Sequence, residues 1–343
     1  MAINVGMMFL FALLLTMVLT ELLRRYALTK HLLDIPNPRS SHNTPTPRGG
    51  GVAIVLVFLL GFPYLYKIGG MTSATLLAFC GTGIWVALVG FLDDHGHIAA
   101  RWRLLTHFIG AIWGLYWLGG VPPLAVSIGI TQVELGWLEQ IAGIFYLVWL
   151  LNLYNFMDGI DGLASIEAIT VCMGGILLIL LGGGSDGQWL GLVLLAFIVA
   201  GFLWWNFPPA KIFMGDAGSG FLGIMLGLFS IKAAWVMPQF FWSWLILLGV
   251  FVTDATWTLT RRFLQGEKVY EAHRSHAYQF ASRFYGSHKK VSLAVGLINL
   301  AWLTPLALGV GLAGLNVYLG LVLAYLPLLL LVIYFKAGTR ELI

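Results

Sequence analysis

Carboxylate and amide side chains recur at short intervals where one apolar stretch of this sequence ends. Asn152, Asn155, Asp158 and Asp161 follow one another every three residues, and a glycine stands directly after each aspartate. Four such groups at the end of an apolar helix are costly unless partners or a ligand satisfy them. In an unbroken helix Asn152 and Asp161 would point to opposite sides, so we expect the glycines to break the helix and turn these groups into one pocket. A simple helix end is the alternative interpretation.

Two further aspartate segments carry similar chemistry. Asp93 and Asp94 close an apolar run, where the helix dipole and their mutual repulsion disfavour both charges, so we expect a compensating cation: a metal ion, a histidine, Arg101 or Arg103. Asp216 lies at the predicted start of another helix, ahead of small residues with free backbone N–H groups. Such a helix start can hold phosphate, and the carboxylate can hold the divalent cation that accompanies it. A solvated helix end and an ordinary N-cap are the respective alternatives.

Basic side chains in the remaining polar segments are suited to bind phosphate oxygens. Residues 34–51 contain four prolines and three glycines, a composition that excludes a helix and leaves two arginines free to bind phosphate. The phosphate-binding candidates are Arg39, Arg48, Lys211, His273 and His276. The alternative for each is a loop charge that faces lipid headgroups or sets membrane orientation. Asp254 precedes Arg261 and Arg262 by seven and eight residues, and we expect an ion pair there.

The elements that position these groups are membrane helices. Of 343 residues, 59% are hydrophobic and only 10% are charged, whereas soluble domains carry about a quarter charged residues. About eleven apolar runs have the length needed to cross about 30 Å of hydrocarbon. The runs cover residues 5–23, 50–66, 73–92, 104–118, 140–157, 166–183, 188–205, 217–232, 241–259, 291–312 and 315–335. We predict an all-α, polytopic integral membrane protein with about eleven transmembrane helices, forming a single domain over residues 1–343.

The distribution of charge predicts the orientation. Of the 19 Lys and Arg residues, 17 fall in alternate connections, and cytoplasmic loops retain Lys and Arg. We therefore expect the C-terminus in the cytoplasm and the N-terminus outside. Twelve of the 15 acidic residues and all eight histidines lie in or beside the same cytoplasmic connections, where a soluble substrate can meet a lipid one. The net charge of +4 reflects this topology and contact with anionic membrane lipid, and no aromatic-basic pattern typical of nucleic-acid binding occurs in the sequence.

These segments, in this order, resemble the polyprenyl-phosphate N-acetylhexosamine-1-phosphate transferase family, which includes phospho-MurNAc-pentapeptide transferase and the enzymes that initiate O-antigen and teichoic-acid synthesis. The resemblance covers about residues 5 to 335. Its most specific motifs are Asn155-Phe-Met-Asp158-Gly-Ile-Asp161-Gly-Leu-Ala and Phe213-Met-Gly-Asp216-Ala-Gly-Ser. Pro45-Thr-Pro-Arg-Gly-Gly-Gly and Phe91-Leu-Asp93-Asp94 support them.

The resemblance implies a role for each candidate residue. It implies that Asn155 and Asp216 bind Mg²⁺, or Mn²⁺ in its place, on a diphosphate. It places Asp158 and Asp161 beside the nucleotide, and Asp93 and Asp94 beside the lipid phosphate. The catalytic candidates are Asp93, Asp94, Asp158 and His276. The substrate-binding candidates are Asp161, Asn152, Lys211, Arg39, Arg48 and His273.

Departures from the family pattern bear on the substrate. Peptidoglycan-type members have a lysine where this chain has His97, and three adjacent histidines where it has His273-Arg-Ser-His276. A pentapeptide-carrying substrate is therefore not expected. The resemblance to the O-antigen-initiating branch implies transfer from UDP-GlcNAc, or from a UDP-linked 6-deoxy N-acetylhexosamine, to undecaprenyl phosphate. It also implies the bacterial inner membrane as the location, with the active site on the cytoplasmic face, and a homodimer is an open alternative to a monomer.

Two other classes of protein are alternatives. An intramembrane prenyltransferase also binds a diphosphate through Mg²⁺ and Asp-rich segments, but its acids would lie on helix faces that no glycine interrupts. A transporter or lipid flippase predicts charges near the bilayer midplane and an internal repeat. The sequence has no such repeat, and its polar residues collect at one face.

Overall fold

The computed structural model describes residues 2–36, 40–42, 44–96, 98–124, 126–128, 131–133, 136–184, 187–268 and 273–339. Within these ranges the chain forms fourteen α-helices and two short two-stranded sheets. The helices are α1 (Ala2–Thr29), α2 (Gly51–Lys67), α3 (Ser73–His95), α4 (Ala100–Leu118), α5 (Trp137–Met157), α6 (Leu163–Leu181), α7 (Leu190–Asn206), α8 (Asp216–Ala234), α9 (Gln239–Leu247), α10 (Gly249–Leu264), α11 (Ala277–Tyr285), α12 (His288–Ile298), α13 (Thr304–Leu312) and α14 (Val317–Tyr334). The strands are β1 (Leu33–Asp34), β2 (Thr46–Pro47), β3 (Val126–Ile128) and β4 (Thr131–Val133).

Each apolar run predicted to span the membrane forms a helix or a consecutive pair of helices. In the described part of the chain, seven helical segments are long and apolar enough to cross a membrane, and α9 with α10 adds an eighth if the two form one bent span. One of the seven comprises α12, a π-helical turn over Asn299–Leu303 and α13. Helices α2 and α7 are apolar but shorter. The all-α polytopic fold is confirmed, and the number eleven stays a prediction.

The run at 241–259 is not the single helix that the sequence predicts. Helices α9 and α10 are bent by 71° at the break between them. The two helices differ in their main neighbours: α9 packs mainly against α13, whereas α10 packs mainly against α14 and α5. The bend therefore changes which helices meet the C-terminal end of α10, whose Asp254 contacts one of the histidines described below.

Helix α8 lies at the centre of the bundle. Of its residues only Asp216 and Lys232 are not buried, and it packs against α2, α3 and α5. Its many glycines and alanines allow the neighbouring backbones to approach closely, as is usual where helices pack in membranes. Since α3 and α5 end where α6 and α8 begin, the motif-bearing connections meet at one end of the bundle.

The segment between α1 and α2 is attached to the connection that precedes α8. Strands β1 and β2 pair antiparallel within it. The N–H groups of Gly50 and Gly51 donate to the carbonyls of Phe213 and Met214, at 2.9 and 2.8 Å. As predicted for residues 34–51, the described part of this segment contains no helix before Gly51. Two motifs far apart in sequence are thus joined by backbone hydrogen bonds.

Candidate active site

Five aspartates from separate segments lie at this end of the bundle. Asp93 and Asp94 occupy the last turn of α3, Asp158 directly follows α5, Asp161 precedes α6, and Asp216 begins α8. They are close enough for the charges of Asp216, Asp161 and Asp94 all to act on Asp158. The helix break predicted near Asp158 is present, because α5 ends at Met157 and α6 begins only at Leu163. The break places Asp158 and Asp161 beside the aspartates that α3 and α8 contribute.

Asp94 is the residue through which α3 meets the start of α8. Its Oδ1 accepts the N–H of Asp216 at 3.2 Å, and its Oδ2 accepts the N–H of Ala217 at 3.3 Å. Gly215 precedes them with φ at +78°, and a Cβ there would lie 2.8 Å from Asp94 Oδ2. A carboxylate at a helix N-terminus is stabilised by the helix dipole. Asp94, rather than Asp216, therefore caps α8, and the Asp216 carboxylate is available for other contacts.

Arg103 is a cation that compensates Asp93 and Asp216. Its Nη1 donates to Asp93 Oδ2 and lies 3.5 Å from Asp216 Oδ2. The N–H of Ile98 donates to the second oxygen of Asp93 at 2.7 Å. Of the cations that the sequence offers for this role, Arg103 makes the contact, while Arg101 lies over the ring of Trp102 at 5.6 Å.

The carboxylate of Asp158 has no hydrogen-bond partner among the residues that the structure describes. Burial, followed by the charges of Asp216, Asp161 and Asp94, raises the pKa of Asp158 well above its ordinary value. Like charges held this close are unfavourable without a further positive charge. The cluster therefore has the electrostatic character of a cation-binding site.

The donor atoms of the cluster suit Mg²⁺. Ser219 Oγ donates to Asn155 Oδ1 at 2.9 Å, which brings the end of α5 onto the first turn of α8 beside Asp216. Carboxylate and amide oxygens are the hard ligands that Mg²⁺ prefers. Among the described residues no three acidic, histidine or cysteine side chains are grouped tightly enough to hold an ion by themselves. Mg²⁺ usually takes one or two protein carboxylates and completes its shell with substrate phosphates and water, so the site fits an ion that binds together with a diphosphate.

Asp161 is held by contacts from two other parts of the chain. Its Oδ2 accepts the N–H of Ala210 at 3.0 Å, and its Oδ1 lies 3.2 Å from Nδ1 of His288. The Ser292 hydroxyl donates to the backbone carbonyl of Asp161 at 2.8 Å. Sequence reasoning missed His288, because nothing local distinguishes it from the other basic residues of its loop.

The predicted phosphate-binding cations lie in different surroundings. Arg48 donates to the backbone carbonyl of Asp94 and so lies beside the cluster. The Lys211 ammonium is 5.1 Å from the ring centroid of Trp205, a cation–π contact. Arg39 lies outside the described residues. Of these three cations, Arg48 alone has a described contact with one of the aspartates.

Asn152 is bound to α4 and to its own helix. Its Nδ2 donates to the carbonyl of Val148 at 2.7 Å and lies 3.4 Å from Nδ1 of His107. The described contacts of Asn152 therefore differ from those of Asn155, although both belong to one three-residue pattern. A period of three in a helix separates the ends of such a pattern, as its geometry requires.

His276 is buried at the start of α11. Its Nδ1 lies 3.1 Å from Oδ1 of Asp254, and the two oxygens of that carboxylate accept the N–H groups of Ala277 and Tyr278, both at 2.9 Å. Asp254 therefore caps α11, and the ion pair predicted with Arg261 or Arg262 is not formed. Helical spacing alone predicted that Arg261 and Arg262 lie close to Asp254. Packing of α10 against α11 instead places His276 and the N–H groups of Ala277 and Tyr278 beside its carboxylate.

His273 lies directly on His276, with ring centroids 4.8 Å apart. Burial, together with the charges of His276 and Arg262, lowers the pKa of His273 to about 3. The ring is therefore neutral at neutral pH. As a ligand for substrate phosphate, the predicted role, His273 can act only as a neutral hydrogen-bonding group.

Tyr278, two residues after His276, contacts the backbone on both sides of Asp158. Its hydroxyl donates to the carbonyl of Phe156 at 2.9 Å, and a Cβ at Gly159 would lie 2.1 Å from the same oxygen. The glycine after Asp158 is thus needed for close approach of α11 as well as for the helix break. A single tyrosine in an amphipathic helix gave no signal from which sequence analysis could have found this contact.

The fold and the site together define a multi-pass membrane protein with a carboxylate cluster at one end of its helix bundle, and comparison with known proteins identifies its family. Residues 76–234 match the family model described as glycosyl transferase family 4. The chain is 30% identical over 320 residues to the probable undecaprenyl-phosphate N-acetylglucosaminyl 1-phosphate transferase of Bacillus subtilis, covering 87% of this chain and 82% of that protein. It belongs to this family, the polyprenyl-phosphate hexosamine-phosphate transferases that its motifs predict.

Other relatives carry different acceptors or donors in their names. The chain is 31% identical over 308 residues to decaprenyl-phosphate N-acetylglucosaminephosphotransferase of Mycobacterium tuberculosis, over 80% of this chain and 74% of that protein. It is 32% identical over 267 residues to phospho-N-acetylmuramoyl-pentapeptide-transferase of Kocuria rhizophila, over 63% and 70% of the two chains.

Proposed function

We propose that this protein transfers N-acetylhexosamine-1-phosphate from a UDP-sugar to a polyprenyl phosphate and releases UMP. The observation that carries the proposal is the carboxylate of Asp158, which lies among Asp94, Asp161 and Asp216 at one end of the membrane bundle and has no hydrogen-bond partner within the described part of the chain. Mg²⁺ that binds together with the diphosphate of the donor would supply the positive charge that this cluster needs. The names of the relatives support a polyprenyl phosphate as the acceptor.

In the proposed reaction an oxygen of the polyprenyl phosphate attacks the β-phosphorus of the UDP-sugar. The bond from that phosphorus to the bridging oxygen breaks, and the electron pair leaves with UMP. Phosphoryl transfer depends mainly on alignment and neutralisation of charge. Mg²⁺ held by Asn155 and Asp216 would supply positive charge against the diphosphate oxygens.

The residues of the chain have separate tasks in this scheme. A phosphate monoester has a second pKa of about 6, so the attacking group is largely ionised near neutral pH. Asp93 therefore acts chiefly by holding Arg103, whose guanidinium can bind the acceptor phosphate. Asp158 and Asp161 serve the nucleotide side of the site, and Asp94 keeps the start of α8 in place.

The proposed donor is UDP-GlcNAc or a UDP-linked 6-deoxy N-acetylhexosamine, and the acceptor is undecaprenyl phosphate. The reaction would begin synthesis of an envelope polysaccharide such as O-antigen, at the cytoplasmic face of the bacterial inner membrane. The motifs come from segments that span most of residues 1–343, which supports one transferase domain rather than separable parts.

The test uses a donor that is labelled at the β-phosphorus. Purified protein, Mg²⁺ and polyprenyl phosphate should move the label into the organic phase, while UMP appears in water. Added UMP should drive the reaction backward, because the diphosphate bonds broken and formed are similar. Label that remains in water as UDP, while sugar enters the lipid, would contradict the proposal. A panel with UDP-GlcNAc, a 6-deoxy analogue and UDP-MurNAc-pentapeptide identifies the donor, and the last should not react.

A further inference from the structure

His288, the first residue of α12, contacts two parts of the site with one ring. Its Nδ1 lies 3.2 Å from Oδ1 of Asp161, and its Nε2 lies 3.0 Å from the backbone carbonyl oxygen of Ser41. Both partners are hydrogen-bond acceptors, so each contact requires an N–H on the ring and the imidazole carries both protons. The backbone N–H of Asp161 also lies 3.5 Å from Nδ1. Because the contact between Nδ1 and the Asp161 carboxylate is the shorter of the two, we assign a proton to Nδ1.

The contact with Asp161 is shielded from water. The side chains of His288 and Asp161 are 19% and 12% exposed, so the pair is less screened than a surface ion pair. The other carboxylate oxygen of Asp161 is engaged by Ala210. The carboxylate is therefore fixed in orientation from two sides, and the contribution of His288 is a charge-assisted hydrogen bond.

The contact with Ser41 attaches the segment between α1 and α2 to α12. The next residue, His42, packs edge-on against Phe213, with ring centroids 4.9 Å apart. Phe213 stands three residues before Asp216. Residues 41–42 are thus held between the start of α12 and the connection that leads to the aspartate cluster.

We infer that His288 is a positioning residue for the nucleotide end of the donor. It orients the Asp161 carboxylate through Nδ1 and holds the backbone at Ser41 through Nε2. One side chain therefore fixes the orientation of the carboxylate and the position of the neighbouring segment. The inference rests on the proposed function, because a uridine nucleotide is the ligand that Asp161 would meet. The acceptor phosphate is served by Asp93 and Arg103 and does not depend on His288.

Two substitutions separate the two contacts. The amide nitrogen of an asparagine reaches the position of Nδ1, and that of a glutamine reaches the position of Nε2. His288→Gln should therefore keep the contact with Ser41 and lose the one with Asp161. We expect the KM for the UDP-sugar to rise about tenfold, as for loss of a hydrogen bond to a charged group, while kcat and the KM for polyprenyl phosphate stay near their wild-type values. Calorimetric binding of UMP should weaken by the same factor without any turnover.

His288→Asn should give the opposite pattern. It keeps the contact with Asp161, so UMP binding should stay within about threefold of wild type, the scale of one neutral hydrogen bond. Because Ser41 is released, trypsin should cleave within residues 39–48 faster than in the wild type and in His288→Gln. Lys289→Gln is the matched control, since Lys289 is the adjacent residue and contacts the ring of Phe207 at 5.7 Å. It should change neither measurement.

The outcomes distinguish the inference from the proposed function. Unchanged UMP binding in His288→Gln, with label transfer intact, would overturn the inference and leave the proposed function standing. In the double variant His288→Gln/Asp161→Asn, UMP binding should be no weaker than in Asp161→Asn, because the two residues act through one contact. Fully additive losses would show that His288 does not act through Asp161. Absence of label transfer by the wild type would refute the proposed function and, with it, the nucleotide role of His288.

Discussion

The carboxylate of Asp94 accepts the backbone N–H of Asp216 at 3.2 Å, across 122 residues of sequence. This hydrogen bond joins the end of α3 to the start of α8, and Gly215 makes it sterically feasible. The two neighbouring aspartates therefore have different partners. Asp94 binds backbone N–H groups, whereas Asp93 binds the guanidinium of Arg103.

Asp216→Asn tests the metal assignment. The change keeps size and hydrogen-bonding capacity but removes the charge that a hard cation prefers. We expect kcat in the label-transfer assay to fall about 10²-fold or more, the scale for loss of a main electrostatic group at a reacting phosphate. Glu134→Gln, in a connection that the charge count places outside, should be near neutral. Full activity of Asp216→Asn at limiting Mg²⁺ would rule out the ligand assignment.

Gly215→Ala tests the cap of α8. An added Cβ would meet Asp94 Oδ2 at 2.8 Å, and φ at +78° is unfavourable for alanine. Gly266→Ala is the matched control, since Gly266 has φ at +75° with nothing within 4 Å of its Cβ. We expect Gly215→Ala to lose at least tenfold in kcat and about 1–3 kcal/mol of stability, with thermal unfolding in detergent as the measurement. Equal effects of the two substitutions would show that backbone strain alone, rather than contact with Asp94, is responsible.

Arg103→Gln tests the compensation of charge in the cluster. The substitution leaves Asp93 and Asp216 without their cation, so their repulsion should lower the melting temperature in EDTA. Mg²⁺ should then raise the melting temperature of the variant by more than it raises that of the wild type. Arg101→Gln, whose side chain lies over Trp102, is the control and should respond to Mg²⁺ like the wild type. An Mg²⁺ response of Arg103→Gln that is equal to the wild type's would contradict the role assigned to Arg103.

His273 should make the protein sensitive to acid. Its pKa is lowered to about 3 in the folded state, against about 6.5 for an unperturbed histidine. Above about pH 6.5 the ring is neutral whether the chain is folded or unfolded. As the pH falls from there toward 3, only the unfolded state binds the proton, so the free energy of unfolding decreases. His273→Gln should show a smaller drop in melting temperature between pH 7.5 and pH 5 than the wild type, and an identical drop would disprove the buried neutral ring.

The orientation can be measured with reporter fusions. Reporters after Arg48, after Arg101 or within residues 265–290 should give cytoplasmic signals, and a reporter within 121–135 should give an external one. The basis is the asymmetry of 17 against 2 basic residues between the two sets of connections. A cytoplasmic signal after Arg48 together with an external signal from 265–290 would be incompatible with the contact between His288 and the carbonyl of Ser41.

The amino-acid sequence was sufficient to predict the all-α membrane fold, the family and the aspartates that form the cluster. These follow from local properties: the length of apolar runs and the composition of short motifs. The break after α5 was also predictable, because Asp158 is followed by glycine and the polar period of three cannot face one pocket in a continuous helix.

The hydrogen-bond partners of the polar side chains, in contrast, depend on how distant helices pack in the folded chain. Helical spacing predicted that Asp254 would bind Arg261 or Arg262, yet it binds His276 and the start of α11. No local pattern marked His288, which reaches Asp161 across 127 residues of sequence. Such choices depend on which helix ends are packed together and on the bend between α9 and α10. A buried polar group takes the partner that packing places nearest with good geometry, and short-range sequence patterns do not encode that position.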